Sequence, residues 1–305
     1  MNTPTGAATV REGQTLRGTS RLARYVNFVK LPHTVFALPF ALVGVVLASR
    51  VAPVTVPLVG WVVLAFTAAR FAAMGFNRIA DRHIDARNPR TAMRELPSGA
   101  MSVAEAAWSV ALASAVFVAA AWRINPLCLA LSPLALSWVL FYSYTKRFTR
   151  WAHLVMGLGL GIAPAGGYLA VTGQWSEPWW LLPALAVAVT SWAGGFDIFY
   201  ALQDTEFDRE QGLHSVPARM GVPRALAIAR GLHALTVVAL AFVGVAVQAG
   251  AVYFAGVVVA ALILAWEHSL VSADDQSRLD AAFFNMNGIL SVTFFLFVLA
   301  ERVFT

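Results

Sequence analysis

The sequence predicts an all-α, polytopic membrane protein with nine transmembrane helices around a central cavity and a cytoplasmic N-terminus. The first observation is composition: 59% of the 305 residues are hydrophobic and 12% are charged, against about 25% charged in an average soluble domain. The second is clustering, because the apolar residues form long runs and a helical crossing of the bilayer needs about 20 of them. The runs are too long and too uniformly apolar for the alternating strands of a membrane barrel.

Nine such runs follow one another along the chain. Helices are predicted for them because only helices and closed barrels satisfy their backbone polar groups in lipid. Residues 1–32 are predicted as an N-terminal cytoplasmic or interfacial segment, since SRLARYVNFVK at 20–30 is basic with apolar spacing. The runs form one predicted transmembrane domain over 33–305, and they lie at about 33–50, 57–76, 102–121, 125–143, 152–171, 179–200, 224–247, 249–267 and 283–301.

Polar stretches separate these runs in a regular way. The second run ends at NRIADRHIDARNPRTAMRELPSG (77–99), and the third begins at Ser102-x-x-Glu105, the pattern of a capping box. The fourth run ends at YSYTKRFT (142–149). Between the fifth and sixth runs, TGQWSEPWW (172–180) supplies tryptophans of the kind that gather at a membrane interface.

The distribution of Lys and Arg predicts the orientation. When the runs are threaded in order, 18 of the 22 Lys and Arg residues lie on the same side as the N-terminus. The loops of the other side contain Arg50, Arg123 and Arg302, and Arg70 lies within the second run. By the positive-inside rule the N-terminus is cytoplasmic and the C-terminus is outside. This bias explains the net charge of +6, so no nucleic-acid partner is predicted. The first 30 residues show no pattern of a cleaved signal peptide.

Two clusters of acidic side chains follow the second and sixth runs, on the same predicted side. Within each cluster the spacing is four residues, which places the side chains on one face of a helix. The clusters comprise Asn77, Asp81 and Asp85 in the first and Tyr200, Asp204 and Asp208, preceded by Asp197, in the second. The second cluster repeats the pattern of the first, four helices later, on the same predicted side, and each is followed by helix-breaking residues. The domain is therefore predicted to consist of two pseudo-repeated halves, at about 33–150 and 151–305.

The acidic clusters predict a metal-diphosphate site. Like charges one helical turn apart repel, and a bound cation removes that cost. Carboxylate and amide oxygens suit Mg²⁺, which usually shares its shell with water and with phosphate oxygens of a substrate. Two clusters that face each other across a cavity are therefore expected to hold Mg²⁺ against a diphosphate.

Basic residues accompany the acids and fit the same site. Guanidinium and ammonium groups neutralise phosphate oxygens, although any one of them can serve only to set topology. These residues are Arg78, Arg82, Arg90, Arg94, Lys146 and Arg147. Arg70 differs because it lies about 10 Å deeper than Asn77 on the same helix face, and an ionisable residue inside the bilayer is a functional-site candidate.

The acidic stretches resemble the motifs of a known family. NRIADRHIDARNPRT resembles the first motif of the UbiA superfamily of membrane prenyltransferases, DIFYALQDTEFDREQGLHSVP resembles the second, and YSYTKRFT is similar to the element between them. The resemblance covers nearly the whole chain. Its closest likeness is to the 4-hydroxybenzoate polyprenyltransferase-like branch of quinone biosynthesis. It implies a multi-pass protein of the bacterial inner membrane with its active site facing the cytoplasm.

The resemblance also implies a reaction. An isoprenoid diphosphate loses its diphosphate with the help of Mg²⁺, and the allylic cation alkylates an aromatic acceptor. The implied partners are a polyprenyl diphosphate, the acceptor and the lipid bilayer. The N-terminal HTVFALPFAL (33–42) is similar to relatives that prenylate 1,4-dihydroxy-6-naphthoate for menaquinone, so this acceptor stays open beside 4-hydroxybenzoate. A hypothesis of another class is a secondary transporter or channel, since repeats and charges near helix breaks also occur there.

Roles follow from the resemblance position by position. The implied catalytic residues are Asp81, Asp204, Lys146 and Arg147. The implied ligands of Mg²⁺ and diphosphate are Asn77, Asp81, Asp85, Asp204 and Asp208. Further substrate contacts are expected from Arg70, Arg78, Arg90, Arg94, Tyr142, Asp197 and Tyr200. Among these, Arg70 is the candidate for an acceptor carboxylate, Asp197 either binds metal or orients the acceptor, and Tyr142 or Tyr200 stabilises the cation through its ring face.

Overall fold

The structure is a computed structural model that describes residues 20–30, 34–279 and 281–304, and this part of the chain is helical with no strands. The predicted segment 1–32 therefore lies partly outside the described residues. The helices are α1 Arg21–Phe28, α2 Thr34–Ala48, α3 Val56–Asp85, α4 Val103–Ile124, α5 Pro126–Thr145, α6 Ala152–Thr172, α7 Leu181–Ala201, α8 Thr205–Glu210, α9 Val216–Met220, α10 Val222–Ala246, α11 Ala251–Ser269 and α12 Asn287–Phe304.

Within the described ranges, eight helices are long and apolar enough to cross a membrane. They confirm the prediction of a polytopic, all-α membrane protein. The first predicted run forms α2, which has 15 residues and is shorter than the others, so nine crossings remain a prediction, as does the side on which the N-terminus lies. A 3₁₀ turn over Leu202–Asp204 joins α7 to α8, and a π-helix over Ala281–Met286 precedes α12.

Two helices run past their apolar segments. α3 continues nine residues beyond the predicted end at 76, to Asp85, and α7 continues through the 3₁₀ turn into α8. Hydropathy marks only where a helix leaves lipid, whereas the backbone hydrogen bonds continue as long as the charged side chains find partners. Both acidic clusters are thereby carried on helical extensions that project from the same end of the bundle, which we call the charged end.

Small residues allow the helices around the cavity to approach closely. A Cβ added at Gly44 of α2 would overlap the carbonyl oxygen of Pro164 in α6, and one added at Gly167 would overlap the carbonyl oxygen of Ala41. Such contacts are typical of packing between helices in membranes. They bring α2 against α6, so both helices contribute wall residues to the same cavity.

α7 packs between α6 and α10. Trp192 of α7 is fully buried and donates its indole N–H to Oδ1 of Asn287 at 2.7 Å. The amide of Asn287 in turn donates to Oε1 of the buried Glu267 at 3.2 Å. This polar link ties α7 to α11 and α12, and it fixes the helix that carries Asp197 and Tyr200.

Candidate functional site

A cavity of about 730 Å³ lies among α2 to α7. Its wall towards the middle of the bundle is apolar and includes Phe66, Phe117, Leu131, Val139, Leu160 and Leu182. Its charged end is lined by residues singled out from the sequence. The cavity as a whole is lined by Asn77, Asp81, Asp85, Asp204, Asp208, Arg70, Arg78, Arg90, Arg94, Tyr142, Lys146, Asp197 and Tyr200, and of these Arg70 lies away from the charged end. Arg147 is not among the lining residues, but it contacts one of them.

Asp81 is the meeting point of the first acidic cluster and the segment after α5. Its Oδ2 lies 2.7 Å from Nζ of Lys146, and its Oδ1 lies 3.3 Å from Nη2 of Arg147. Arg147 also donates to the carbonyl oxygen of Ala80 at 2.6 Å. One helical turn before, Asn77 donates its amide N–H to Oδ2 of Asp81 at 3.1 Å. Both oxygens of this buried carboxylate therefore carry positive or donor partners.

Asp85, the last residue of α3, is buried between two arginines. Nη1 of Arg94 lies 2.8 Å from its Oδ1, and Nη1 of Arg78 lies 4.0 Å from its Oδ2. The hydroxyl of Thr91 donates to the carbonyl oxygen of Asp85 at 2.9 Å. The chain after α3 thus folds back on the helix end, which brings Arg94 to the cavity.

Asp204 belongs to the second acidic cluster, but its partners come from the segment that follows the first cluster. Nε of Arg90 donates to its Oδ1 at 3.0 Å, Nη2 of Arg90 donates to its Oδ2, and Nδ2 of Asn88 donates to its Oδ1 at 2.8 Å. Arg90 also donates to Oη of Tyr200 at 2.9 Å. Burial alone would lower the pKa of Arg90, but the hydrogen bonds and charge of Asp204 and Tyr200 outweigh it and raise that pKa. Arg90 and Asn88 therefore link the segment after the first cluster to the second cluster.

The sequence matches the model of the UbiA prenyltransferase family over residues 37–289. The chain belongs to this family. A 4-hydroxybenzoate octaprenyltransferase of Xanthomonas euvesicatoria pv. vesicatoria is 32% identical over 234 residues, which is 75% of this chain and 76% of the relative. The apo structure of a UbiA homolog from Aeropyrum pernix K1 is 34% identical with a TM-score of 0.80, covering 89% of this chain and 98% of that chain.

A more distant UbiA-family structure shows the same fold. It is a homolog from Archaeoglobus fulgidus bound to GPP and Mg²⁺, 20% identical with a TM-score of 0.67, covering 92% of this chain and 99% of that chain. Family membership confirms that the protein is a membrane prenyltransferase, and it leaves no support for the hypothesis of a transporter or channel.

The donor set of this prenyltransferase fits Mg²⁺ that arrives with a substrate. In the described part of the chain no three His, Cys, Asp or Glu side chains form a group that could hold a metal ion by themselves. Mg²⁺ usually takes one or two carboxylates and completes its shell with water and phosphate oxygens, and Asp81, Asp85 and Asp204 offer such oxygens at the cavity. The repulsion that the spacing predicts within each cluster is offset here by the protein's own Arg and Lys.

Asp197 lies apart from those ion pairs. Its Oδ2 is 2.7 Å from Nδ1 of His153 on α6. The backbone N–H of Val216 donates to Nε2 of the same ring at 3.2 Å, which assigns the ring proton to Nδ1 and makes His153 the donor to Asp197. Asp197 is thereby fixed in orientation while its side chain still lines the cavity.

Arg70 lines the cavity within α3, away from the charged end. In the described residues it forms no ion pair with a carboxylate, in contrast to Arg78, Arg90 and Arg94. A guanidinium inside a membrane bundle without an internal acid is suited to a ligand that brings its own negative charge.

Three residues of the site escape sequence reasoning. Asn88 binds Asp204 across 116 positions, His153 binds Asp197 across 44, and Lys30 binds Tyr200 across 170. Asn88 has a local signal, because it follows Asp85 by nearly one helical turn. No spacing in the sequence links His153 or Lys30 to the acidic clusters.

Proposed function

We propose that this UbiA-family enzyme transfers a polyprenyl group from a polyprenyl diphosphate to the ring of a hydroxyaryl carboxylic acid of the 4-hydroxybenzoate type, with Mg²⁺, in ubiquinone or menaquinone biosynthesis. The observation that carries the proposal is a single cavity that joins a charged end to an apolar wall. A prenyl diphosphate has the same two parts. The relative named 4-hydroxybenzoate octaprenyltransferase and the homolog bound to GPP and Mg²⁺ support the two substrates.

The charged end would bind the diphosphate and stabilise its departure. When the allylic C–O bond breaks, the bonding electrons leave with the diphosphate, and negative charge grows on its oxygens. Arg90, Arg94, Lys146 and Arg147 are fixed by their acidic partners near the place where that charge develops, which is how preorganised groups lower a barrier. Mg²⁺, held by Asn77, Asp81, Asp85, Asp204 and Asp208 together with the diphosphate, would supply further positive charge at these oxygens.

The apolar wall would hold the prenyl tail and protect the allylic cation from water. Tyr142 and Tyr200 line the cavity where the charged end meets this wall. The negative face of an aromatic ring attracts a cation, so these two rings are suited to the cationic carbon that forms when the diphosphate leaves.

Arg70 and Asp197 would position the acceptor. Arg70 offers a guanidinium fork to the carboxylate of a hydroxyaryl acid, and Asp197, oriented by His153, accepts a hydrogen bond from its hydroxyl. The ring carbon then attacks the allylic cation, a C–C bond forms, and the ring loses a proton to restore aromaticity. Because 1,4-dihydroxy-6-naphthoate also carries a hydroxyl and a carboxylate, the same two residues serve either acceptor.

The proposed location is the bacterial inner membrane, with the N-terminus and the charged end in the cytoplasm. The excess of Lys and Arg at that side of the sequence supports this orientation. A soluble diphosphate head and a soluble aromatic acid would then enter from the cytoplasm, and the prenyl tail would remain in the apolar cavity.

A prenylation assay on the purified protein in lipid tests the proposal. A long-chain prenyl diphosphate and Mg²⁺ are offered with 4-hydroxybenzoate or with 1,4-dihydroxy-6-naphthoate, and products are followed by mass. Product from one acceptor, lost when EDTA removes Mg²⁺, is the expected result and assigns the pathway. The proposal fails if neither acid is prenylated while the protein remains folded.

A further inference from the structure

Lys30 enters the charged end of the cavity from outside the helical bundle. It follows α1, and it precedes the range 37–289 that the family model matches. Lys30 is only 8% exposed to solvent, and it lines the cavity together with Arg78, Arg90 and Arg94. α1 is anchored beside it, because Phe28 is fully buried and its carbonyl oxygen accepts a hydrogen bond from Nε of Arg78 at 3.3 Å.

The backbone of Lys30 adopts a conformation that favours glycine. Its φ is +46°, and it lies two residues after the end of α1, where a helix commonly ends on a left-handed glycine. A lysine at such a position is uncommon and calls for an explanation in its side chain. The explanation is the direction of the side chain, which reaches the cavity from this turn.

The ammonium of Lys30 has a neutral partner. Its Nζ donates to Oη of Tyr200 at 3.2 Å and lies 5.4 Å from the centre of the Tyr200 ring. Arg90 donates to the same hydroxyl and lies over the same ring at 5.1 Å. In the described residues Lys30 forms no ion pair with a carboxylate, unlike Arg78, Arg90, Arg94 and Lys146.

The surroundings of Lys30 carry more positive than negative charge. Arg78 and Arg94 share the single carboxylate of Asp85, so Lys30 is a third cation beside one acid. Burial lowers the pKa of Lys30, and the charges of Arg78 and Arg94 lower it further, while Tyr200 opposes them. A buried excess of cations is costly unless an anion joins it.

We propose that Lys30 is a diphosphate ligand, carried into the cavity by α1, that exchanges the hydroxyl of Tyr200 for a phosphate oxygen when the prenyl diphosphate binds. This inference rests on the proposed function. A diphosphate is favoured over the acceptor carboxylate because Lys30 lies among Arg78, Arg90 and Arg94. Arg70, the candidate for the carboxylate, lies about 12 Å from Arg78 along the axis of α3. When Lys30 no longer donates to Tyr200, one lone pair of the Tyr200 hydroxyl becomes available, and Tyr200 itself lines the cavity.

The variant Lys30→Gly separates this role from a structural one. Glycine favours the observed φ, so the turn after α1 keeps its conformation while the ammonium is lost. Lys30→Arg keeps the charge, and Arg21→Ala removes an exposed cation from α1 without touching the cavity. The measurements are binding of inorganic pyrophosphate with Mg²⁺ to the purified protein in lipid, and the KM values for prenyl diphosphate and acceptor.

Lys30→Gly is expected to weaken pyrophosphate binding and raise the KM for prenyl diphosphate by about tenfold or more, the effect of losing one charge-assisted hydrogen bond. In Lys30→Gly the KM for the acceptor is expected to stay within about threefold of the original value, and Arg21→Ala is expected to leave all three quantities within the same range. Lys30→Arg, which keeps the charge, is expected to recover part of the pyrophosphate affinity. Unchanged pyrophosphate binding in Lys30→Gly, with prenyl transfer intact, would overturn the role of Lys30 alone. A native protein that neither binds pyrophosphate nor transfers a prenyl group would overturn the proposed function itself.

Discussion

Arg90 forms a two-pronged hydrogen bond to the carboxylate of Asp204 and thereby joins the segment after α3 to the end of α7. The guanidinium of the segment after α3 neutralises an acid that follows α7, so this acid and this base of the charged end are already paired without substrate. On the proposed function, a bound diphosphate and its Mg²⁺ would exchange one set of charged partners for another. This exchange avoids the cost of leaving a buried carboxylate unpaired.

Arg90→Gln is expected to lower kcat/KM for prenyl transfer by about 100-fold. The substitution removes a cation from the proposed diphosphate site, and it leaves the buried carboxylate of Asp204 with the amide of Asn88 but without its charged partner. Steady-state kinetics with varied prenyl diphosphate measure this. Arg87→Gln is the matched control, since Arg87 is exposed and bonds Gln211 at the surface. Equal losses in both variants would contradict the specific role of Arg90.

Loss of the imidazole in His153→Phe is expected to lower kcat by about tenfold or more, because Asp197 loses the donor that orients it. The KM for prenyl diphosphate is expected to change less than kcat, because His153 is hydrogen bonded to Asp197 and not to Asp81, Asp204 or Asp208. His153→Asn, which keeps an N–H donor close to the position of Nδ1, is expected to recover part of the rate. A purely structural role for His153 predicts instead that both variants lose folded protein in proportion to activity.

The lowered pKa of Lys30 predicts two opposite effects of pH. The folded protein holds this proton less tightly than the unfolded chain, so stability rises with pH between the folded pKa and the ordinary value of 10.5. Pyrophosphate binding falls over the same range of pH, because it needs the ammonium. Titration of binding against pH is expected to show this fall in the original protein and not in Lys30→Arg. A parallel fall in Lys30→Arg would assign the effect to another group.

Gly44→Ala is expected to destabilise the protein by about 1–3 kcal/mol, because the new methyl group overlaps the carbonyl oxygen of Pro164 and separates α2 from α6. Thermal unfolding in detergent measures the change. At Gly231, also within a helix, an added Cβ meets nothing within 4 Å, so Gly231→Ala is the control and is expected to be neutral or slightly stabilising. Similar shifts in both variants would argue against close packing of α2 on α6.

Local spacing in the sequence accounts for much of the site. Four-residue spacing places Asn77 one turn before Asp81, and the two side chains are hydrogen bonded. The basic residues of YSYTKRFT are predicted to serve the same site, and Lys146 does reach Asp81. Composition and run length also predict the class of fold, because the bilayer imposes them on any helix that crosses it.

Pairings between distant segments are beyond such reasoning. Which arginine meets which acid depends on how the chain turns back after α3, and this is decided by contacts such as that of Thr91 with the end of α3. Lys30 illustrates the limit further, because its contact with Tyr200 depends on the packing of α1 and on a left-handed turn. Neither feature leaves a periodic mark in the sequence.

The most direct test of the account is single-turnover prenyl transfer by Asp81→Ala and Asp204→Ala in lipid, with Mg²⁺ and saturating acceptor. Each variant removes one oxygen ligand from the proposed clamp on Mg²⁺ and diphosphate, so turnover is expected to fall below detection while the protein stays folded and inserted in the membrane. Circular dichroism and thermal unfolding verify the fold. Full activity in either variant would contradict the clamp.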